Sequence, residues 1–391
     1  MKVTKHNKLK DEFFKSLNAE WAISPEIGDY IQGDVVTISQ EEADAYYEAA
    51  NTLYIMFTEA GDYVLENDML EEMGINPNLT ELIKYTWDND NHWHLYGRFD
   101  FAGGVDGEQI KLIEFNADTA TSLPECAVFQ WAHLKDNGFN NESQFNSIFE
   151  NLVHNFKILR QMNPDKEPNI LFTHMDSDED KANVELMSQA AVEAGFDVEF
   201  RFLPEITFSD DESEGGVWVD YGEDRHRRFD FWFKLLPWEF LAEDEPELIE
   251  LLTSIAKNEQ CVILNPAYTM LFQSKVILKV LWDLFPEHPL LLKTTTEKPE
   301  GIKYVEKVIF GREGANVSIR DENDEVMEEQ VGEYESPTIF QEYVELSTDN
   351  GQSYQAGVFF IGEGAGLGFR RGTKIMNDTA EFVSHYISED E

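Results

Sequence analysis

Two neighbouring stretches decide the fold: HLYGRFDFAGG at residues 94–104 and QIKLIEFNAD at residues 109–118. Polar and apolar side chains alternate in both stretches, which is the period of a half-buried β-strand. Glycines lie in the interval that separates them, and glycines placed in this way mark a turn. We therefore expect two adjacent strands that are joined by a short turn.

Four polar side chains converge if these two strands pair. Side chains two residues apart share a strand face, so Arg98 and Asp100 point the same way, as do Glu114 and Asn116. Two carboxylates and an amide oxygen are hard ligands that suit Mg²⁺, and an arginine fork beside them could hold a phosphate or an oxyanion. The alternative is a solvated sheet face with a surface ion pair, which the density of polar residues in apolar strands makes less favoured.

The surrounding sequence predicts mixed α and β structure. Residues 40–72 repeat apolar side chains at three- and four-residue spacing, which is typical of one or two amphipathic helices. Residues 121–133 return to helical spacing, with Thr121 or Ser122 as the expected N-cap. The strand NILFTHM, the helical run VELMSQAAVEAG and the strand DVEFRFL then form a β-α-β unit.

These patterns divide the chain into three parts, of the α+β or α/β class. Residues 1–165 contain N-terminal helices and the two polar strands. Residues 166–270 form a small α/β domain, to which FDFWFKLLPWEF and CVILNPAY add two strands. Residues 271–391 begin with LFQSKVILKVLWDLF, which predicts one helix that ends at Pro286, and continue as mostly β structure.

The composition excludes several classes of function. Lys and Arg number 30 against 77 Asp and Glu, so the formal net charge is −47. Such a chain repels phosphate backbones and anionic membranes, and we expect neither nucleic acid nor a membrane as a partner. Two cysteines cannot build a disulfide framework, and the N-terminus lacks the apolar stretch of a signal peptide. We therefore expect a soluble, cytoplasmic protein.

Lysines and a glycine-containing hairpin form a second candidate site. Lys307 lies on a predicted strand that runs into GREGAN at residues 311–316 and re-enters a strand. A hairpin of this kind could fold over phosphates with its backbone N–H groups, although an ordinary turn gives the same pattern. Lys275 lies in the helix predicted after the ILNP strand, where the alternative is a surface lysine that snorkels to water.

Later strands contain further candidates for nucleotide binding. Gln341 and Glu342 lie at a strand exit, where backbone groups can meet an adenine edge and an acid can bind ribose hydroxyls. Gln355, Arg370 and Arg371 lie on strands that follow. An ordinary strand end has the same composition, and the residues alone favour that alternative.

The acidic run DSDED at residues 176–180 follows a strand and precedes a helix. Acids at a helix N-terminus complement the helix dipole, which is the simpler interpretation. In an α/β domain the same place is the crevice beyond the carboxyl ends of the strands, where acids could receive a polyamine or another cation. The residues alone leave both interpretations open.

The combined motifs closely resemble the glutathionylspermidine synthase family, which are carbon–nitrogen ligases of the ATP-grasp class. The motifs that carry the resemblance are, in chain order, YGRFDF, LIEFNADTATS, KLLPWEF, ILNPAY, SKVILKVLW and KVIFGREGANVSI. The resemblance implies a permuted ATP-grasp fold with a small Rossmann-like pre-ATP-grasp domain. It also implies an ATP- and Mg²⁺-dependent ligase that joins a glutathione-like carboxylate to a spermidine-like amine through an acyl phosphate.

The same resemblance implies roles for individual residues. Arg98 would stabilise the reacting phosphoryl and tetrahedral species, and Asp100, Glu114 and Asn116 would hold two Mg²⁺ ions. Thr119 would contact glutathione, and the amine would be received by Glu179 and Asp180. The residues that would bind ATP are Arg98, Lys275, Lys307, Arg312, Gln341, Glu342, Tyr343, Val344, Gln355, Arg370 or Arg371, Ile375 and Met376.

The chain also departs from the family's pattern. Members that make the conjugate often carry an N-terminal amidase domain with a catalytic cysteine, and no such domain stands in this sequence, so we do not expect amide hydrolysis. KLLPWEF at residues 234–240 replaces the family's peptide-binding stretch, and a hydroxyl contact to glutathione is lost with it. The alternatives are a ligase that makes an unrelated peptide or cell-envelope amide, and an ATP-binding relative without catalysis.

Overall fold

The computed structural model describes residues 1–25, 27–140, 143–175 and 177–388, and it has the expected mixed α and β structure in several sheets. In the described residues, the strands β1 to β20 are Lys2–Lys5, Ile31–Ile38, Gly97–Ala102, Lys111–Asn116, Asn169–His174, Asp197–Phe200, Ile206–Ser209, Gly216–Asp220, His226–Phe229, Phe231–Leu235, Val262–Leu264, Thr294–Thr295, Tyr304–Val308, Val317–Arg320, Val326–Gln330, Thr338–Glu342, Ser347–Asp349, Gln352–Phe360, Gly364–Gly372 and Glu381–Ile387.

The α-helices of the same residues lie mainly on the faces of these sheets. Helices α1 to α10 are Asp11–Ser16, Gln40–Glu66, Thr80–Asp88, Gln130–Asp136, Ile148–Met162, Asp178–Glu193, Trp238–Asp244, Pro246–Lys257, Thr269–Gln273 and Ile277–Leu284. No helix of the described chain is long and apolar enough to cross a membrane.

The largest sheet has the order β1-β2-β20-β19-β18-β3-β4, with β17 paired to β18. The predicted pairing of the two polar strands is confirmed, because β3 and β4 are antiparallel neighbours with Arg98 opposite Asn116 and Asp100 opposite Glu114. The sheet takes strands from both ends of the chain, so it crosses the boundaries at residues 165 and 270. Those domain boundaries stay a prediction.

Helix α2 explains why the polar side chains of β3 and β4 face away from the core. Its Ser39 and Glu42 form a capping box, and its apolar face packs on the large sheet. Phe57 of this helix lies 5.1 Å from Phe115 between ring centroids, and Phe115 stacks on Phe99 at 3.8 Å. Because successive strand residues point to opposite faces, burying these phenylalanines turns the intervening polar residues toward the other side.

The second sheet is small and parallel, with the order β11-β10-β5-β6. The predicted β-α-β unit is confirmed as β5, α6 and β6, whose strands pair in parallel. Ser177 caps α6, since its hydroxyl accepts from the Asp180 N–H at 3.3 Å. The carboxyl ends of β5 and β10 therefore lie at one edge, with residues 177–180 and 236–240 just beyond them.

A five-stranded antiparallel sheet, β12-β16-β13-β14-β15, contains the predicted lysine strand and hairpin, and β7, β8 and β9 form a separate three-stranded sheet. Residues 311–316 join β13 to β14. The single helix predicted from residue 271 is wrong, because Ser274 is extended between α9 and α10. Tertiary hydrogen bonds compete with the helix there: the Ser274 hydroxyl donates to the Met73 carbonyl (2.7 Å), and the Lys275 N–H donates to the Ile309 carbonyl (3.2 Å).

The helix of the segment after β4 begins at Leu123, so Ser122 has the predicted N-cap position, and its carbonyl accepts from the Cys126 N–H at 3.2 Å. No side-chain oxygen caps the π-helical turn Glu125–Phe129 with which that segment continues. Ser122 has a φ of +73°, and the Thr121 carbonyl accepts a hydrogen bond from Arg98 Nη1 at 2.9 Å. The Leu123 N–H at the helix start donates to Asn183 Oδ1 at 3.0 Å, so a distant side chain replaces a local cap.

Candidate active site

A cleft of about 320 Å³ lies between the polar face of β3 and β4, the carboxyl edge of the parallel sheet and the hairpin between β13 and β14. The predicted site residues that line it are Arg98, Asp100, Glu114, Asn116, Thr119, Asp180, Lys275, Lys307, Arg312, Gln341, Glu342, Tyr343, Val344, Gln355, Arg370, Ile375 and Met376. Residues that are far apart in the sequence thus meet in one place. Glu179 and Arg371 are not among the lining residues.

The four polar residues of β3 and β4 form one corner of the cleft. Arg98 holds both oxygens of Asp100, through Nε at 2.7 Å and Nη2 at 3.0 Å. Asn116 Nδ2 donates to Asp100 Oδ2 at 3.2 Å. Burial by itself disfavours a charged guanidinium, but Asp100 outweighs that effect and raises the pKa of Arg98. The surface ion pair considered for these strands is excluded, since Arg98 and Asp100 are 7% and 1% exposed.

Glu114 lies among cations in the same corner. Its Oε2 is 3.4 Å from Lys275 Nζ. Burial by itself would raise the pKa of Glu114, but the positive charges of Lys275 and Lys307 outweigh it and lower the pKa to about 2. Glu114 is therefore an anion at every physiological pH and can act as an oxygen ligand.

Two lysines face the cleft from different elements. The break between α9 and α10 lets Lys275 leave the helical surface, and its Nζ donates to the Gly311 carbonyl at 2.8 Å. Lys307 of β13 donates to Gln341 Oε1 at 2.7 Å and to the Ile113 carbonyl at 3.3 Å. Burial lowers the pKa of Lys307 to about 8. The surface position considered for Lys275 is wrong, since that residue is 8% exposed.

The far part of the cleft is a pocket with one polar edge and apolar walls. Gln341 on β16 is 2% exposed, and its amide donates to the Ile113 carbonyl at 3.4 Å. The chain then leaves the strand through Tyr343 and Val344. The apolar side chains that surround this part are Ile113, Leu292, Val305, Ile319, Val344, Leu346, Ile375 and Met376. A flat ring with hydrogen-bonding edges suits such a space.

The structure separates the two candidate C-terminal arginines. Arg370 lines the cleft opposite Gln355 in the register of β18 and β19, and it donates to the Asn377 carbonyl at 2.9 Å. Arg371 points to the other face of β19 and pairs with Asp34 and Glu381. Arg370 is therefore the arginine that can meet a ligand in the cleft.

The acids of α6 lie at the other end of the cleft. Asp180 lines it, Glu179 stands beside it, and Asp176 lies outside the described residues. Burial, with the negative charge of Glu125 as the next cause, raises the pKa of Glu179 to about 8. Burial also raises the pKa of Asp180 to about 6. Neither acid forms a salt bridge in the described chain. A cation bound beside them would stabilise their charged forms.

Sequence reasoning missed several residues of the site. Asp118 and Lys234 form a fully buried ion pair at 3.1 Å directly behind the cleft, and Glu239 pairs with Arg312 at 2.6 Å. The stretch KLLPWEF could have indicated them, because Lys234 and Glu239 interrupt an otherwise apolar sequence at the end of β10. Such polar residues in a buried strand end indicate partners from elsewhere in the chain.

The sequence model of the family described as glutathionylspermidine synthase pre-ATP-grasp matches residues 1–388. The chain belongs to this family. A Haemophilus influenzae protein named "Putative acid--amine ligase" is 32% identical over 359 residues, which cover 88% of this chain and 87% of that protein.

A curated relative and a solved structure are also similar to this chain. The bifunctional glutathionylspermidine synthetase/amidase of Escherichia coli is 28% identical over 372 residues, which cover 87% of this chain and 56% of that protein. A glutathione synthetase-like effector from Globodera pallida superposes with a TM-score of 0.52 at 13% identity, over 97% of this chain and 98% of that chain. This last likeness concerns the fold alone.

Proposed function

We propose that the protein is an ATP- and Mg²⁺-dependent ligase with a permuted ATP-grasp fold. It joins the carboxylate of a glutathione-like peptide to a spermidine-like amine. The observation that carries this proposal is the meeting of Arg98, Lys275 and Lys307 with Asp100 and Glu114 in one cleft. Phosphoryl transfer needs cationic side chains that bind the phosphates and, beside them, oxygen ligands that hold a metal ion.

The reaction has two steps that balance. A carboxylate oxygen of the acid attacks the γ-phosphorus of ATP, the bond to the β-phosphate oxygen breaks, and an acyl phosphate and ADP result. The uncharged amine then attacks the acyl carbon, phosphate leaves with the oxygen that came from the carboxylate, and the nitrogen loses a proton as the amide forms. No oxidant or reductant is needed.

The chain's own residues bind and orient the reacting groups. Arg98 presents its fork to the transferring phosphoryl group and to the oxyanion of the tetrahedral species, while Asp100 fixes its direction. Lys275 and Lys307 bind phosphate oxygens, and Arg312 approaches them from the hairpin. The adenosine part occupies the apolar pocket; its contacts are Gln341, Glu342, Tyr343, Val344, Gln355, Arg370, Ile375 and Met376.

The donor set of the corner fits Mg²⁺. Asp100 and Glu114 supply carboxylate oxygens, and Asn116 supplies an amide oxygen once its side chain turns from Asp100. The described residues contain no group of three or more His, Cys, Asp or Glu that could hold a metal alone, so phosphate oxygens and waters complete the shell. Bound there, two Mg²⁺ would neutralise the charge of the phosphates.

The acid and the amine enter from the α6 side of the cleft. Thr119 follows the metal-binding strand and offers a hydroxyl to the acid substrate. Glu179 and Asp180 lie where they can receive the cationic part of a polyamine. The overall charge of −47 attracts such a cation.

A product screen tests the proposal. The protein is incubated with Mg²⁺ and ATP, a pool of carboxylic acids that includes glutathione, and a pool of amines that includes spermidine. We expect ADP release that needs both pools, and a new species whose mass is the sum of one acid and one amine less one water. MgATP that raises the melting temperature without any ADP release would contradict ligase activity and indicate a binding protein.

The amine site predicts a pH dependence. Because the pKa values of Glu179 and Asp180 are raised to about 8 and about 6, both acids gain negative charge as the pH rises. Spermidine affinity, measured by calorimetry with MgATP present, is therefore expected to increase between about pH 5.5 and pH 8.5. Asp180→Asn should weaken binding and flatten this increase, whereas the exposed Asp178→Asn on the same helix should not. An affinity that stays constant across this range would contradict the assignment.

A further inference from the structure

Two consecutive residues of α7 hold the arginine of the hairpin. Arg312 Nη2 is 2.6 Å from Glu239 Oε1, and the side chains are 23% and 13% exposed. The guanidinium also lies 4.9 Å from the ring centroid of Phe240. A charge-assisted bond and a cation–π contact therefore fix the same group from two directions.

Contacts from other segments hold the backbone of the hairpin, such as the hydrogen bond from Lys275 Nζ to the Gly311 carbonyl at 2.8 Å. Glu313, Gly314 and Asn316 have positive φ values of 54°, 69° and 55°, a turn with few internal hydrogen bonds. Gly314 packs closely on residue 376, where an added Cβ would lie 2.6 Å from the Met376 carbonyl oxygen. The ion pair of Arg312 with Glu239 connects the hairpin to the side of the cleft that the parallel sheet forms.

A fully buried ion pair, Lys234 with Asp118, lies behind the pair of Arg312 and Glu239. Lys234 and Asp118 are both fully buried, and Lys234 Nζ lies 4.1 Å from the ring centroid of Trp238, the residue before Glu239. Asp118 Oδ2 in turn accepts from the Trp238 N–H at 3.0 Å. Asp118 thus connects the start of α7 to the residues that follow β4. This connection fixes the position of Glu239 relative to the polar residues of β3 and β4.

We propose that Glu239 is a positioning residue, which holds Arg312 at the mouth of the cleft before the nucleotide arrives. This inference rests on the proposed function, in which Arg312 meets phosphate. Glu239 itself touches no reacting atom. Its second oxygen, Oε2, is buried and makes no hydrogen bond in the described chain, so the hydrogen bond that the described chain gives this carboxylate comes from Arg312. Fixing the arginine in advance lowers the ordering cost that ATP binding must overcome.

The first test is Glu239→Gln, with Glu243→Gln on the exposed face of α7 as the matched control. We expect Glu239→Gln to raise the KM for ATP at least about tenfold, with a smaller change in kcat. Glu239→Asp should restore part of the affinity. A KM equal to or lower than that of the wild type would overturn the proposal, since a merely inhibitory contact would give that result.

The second test needs no turnover and so separates this inference from the ligase proposal. Amide hydrogen exchange of residues 311–316 without nucleotide is expected to be faster in Glu239→Gln and in Arg312→Gln than in the wild type or Glu243→Gln. Arg312→Gln gives the same readout if Glu239→Gln fails to fold. The double variant should exchange no faster than either single variant. Unchanged protection, or additive effects, would overturn the proposal even in an active ligase.

Discussion

Arg98→Ala is expected to lower carboxylate-dependent ADP release by about 10²–10³-fold, the size seen when one preorganised donor to a developing anion is removed. In the proposed mechanism, Arg98 faces both the transferring phosphoryl group and the tetrahedral oxyanion. Its replacement also frees Asp100 from a bidentate partner at 2.7 and 3.0 Å. The loss should therefore appear mainly in kcat, because the guanidinium of Arg98 stabilises charge that develops in the transition state and not in the bound substrates.

Arg371→Ala is the matched control for this prediction. Arg371 is a salt-bridged arginine one residue from Arg370, but its partners Asp34 and Glu381 lie outside the cleft. Melting temperatures of both variants check that each is folded. If folded Arg98→Ala turns over at the wild-type rate, the assignment of the reacting centre is wrong.

Lys234→Ala is expected to destabilise the protein by about 3–5 kcal/mol. The change leaves the carboxylate of Asp118 fully buried without its cation, at 0% exposure. It also removes the cation from the face of Trp238 and the hydrogen bond to the Leu236 carbonyl. Burying an uncompensated charge costs far more than the pair itself contributes, so the single variant is more damaging than the loss of both charges.

Denaturant unfolding measures this effect. Lys279→Ala is the matched control, since Lys279 pairs with Asp283 one helical turn away at the surface, where such pairs contribute about 0.3–0.5 kcal/mol. The double variant Lys234→Met with Asp118→Asn keeps an acceptor for the Trp238 N–H and should recover part of the loss. A Lys234→Ala protein as stable as the wild type would show that Asp118 takes up a proton at no cost.

The alternation of β3 and β4 made the polar corner predictable. Side-chain direction in a strand follows from its period of two, and the phenylalanines between the polar residues could only be core residues. The register, with Asp100 opposite Glu114 and a shift between Asp100 and Phe101, was not predicted, because adjacency alone does not fix it. Lys307 and its hairpin were predictable for the same reason, because strand, glycine turn and strand are local patterns.

The break at Ser274 and the pair of Glu239 with Arg312 were not predictable. Helical spacing around Lys275 is continuous, and only the carbonyls of Met73 and Ile309, supplied by distant segments, draw the backbone out of the helix. Glu239 and Arg312 are separated by 73 residues, so their contact depends on how two sheets face each other. Local propensity gives no information about either.

A labelled-oxygen experiment tests the central claim most directly. The carboxyl oxygens of glutathione and of the other acids in the pool are replaced by heavy oxygen, and the phosphate released from ATP during amide formation is examined by mass spectrometry. If an acyl phosphate forms, each phosphate carries one heavy oxygen atom, and Arg98→Ala slows its appearance by the same factor of about 10²–10³. Phosphate without the label, while ADP accumulates and amide forms, would contradict the mechanism.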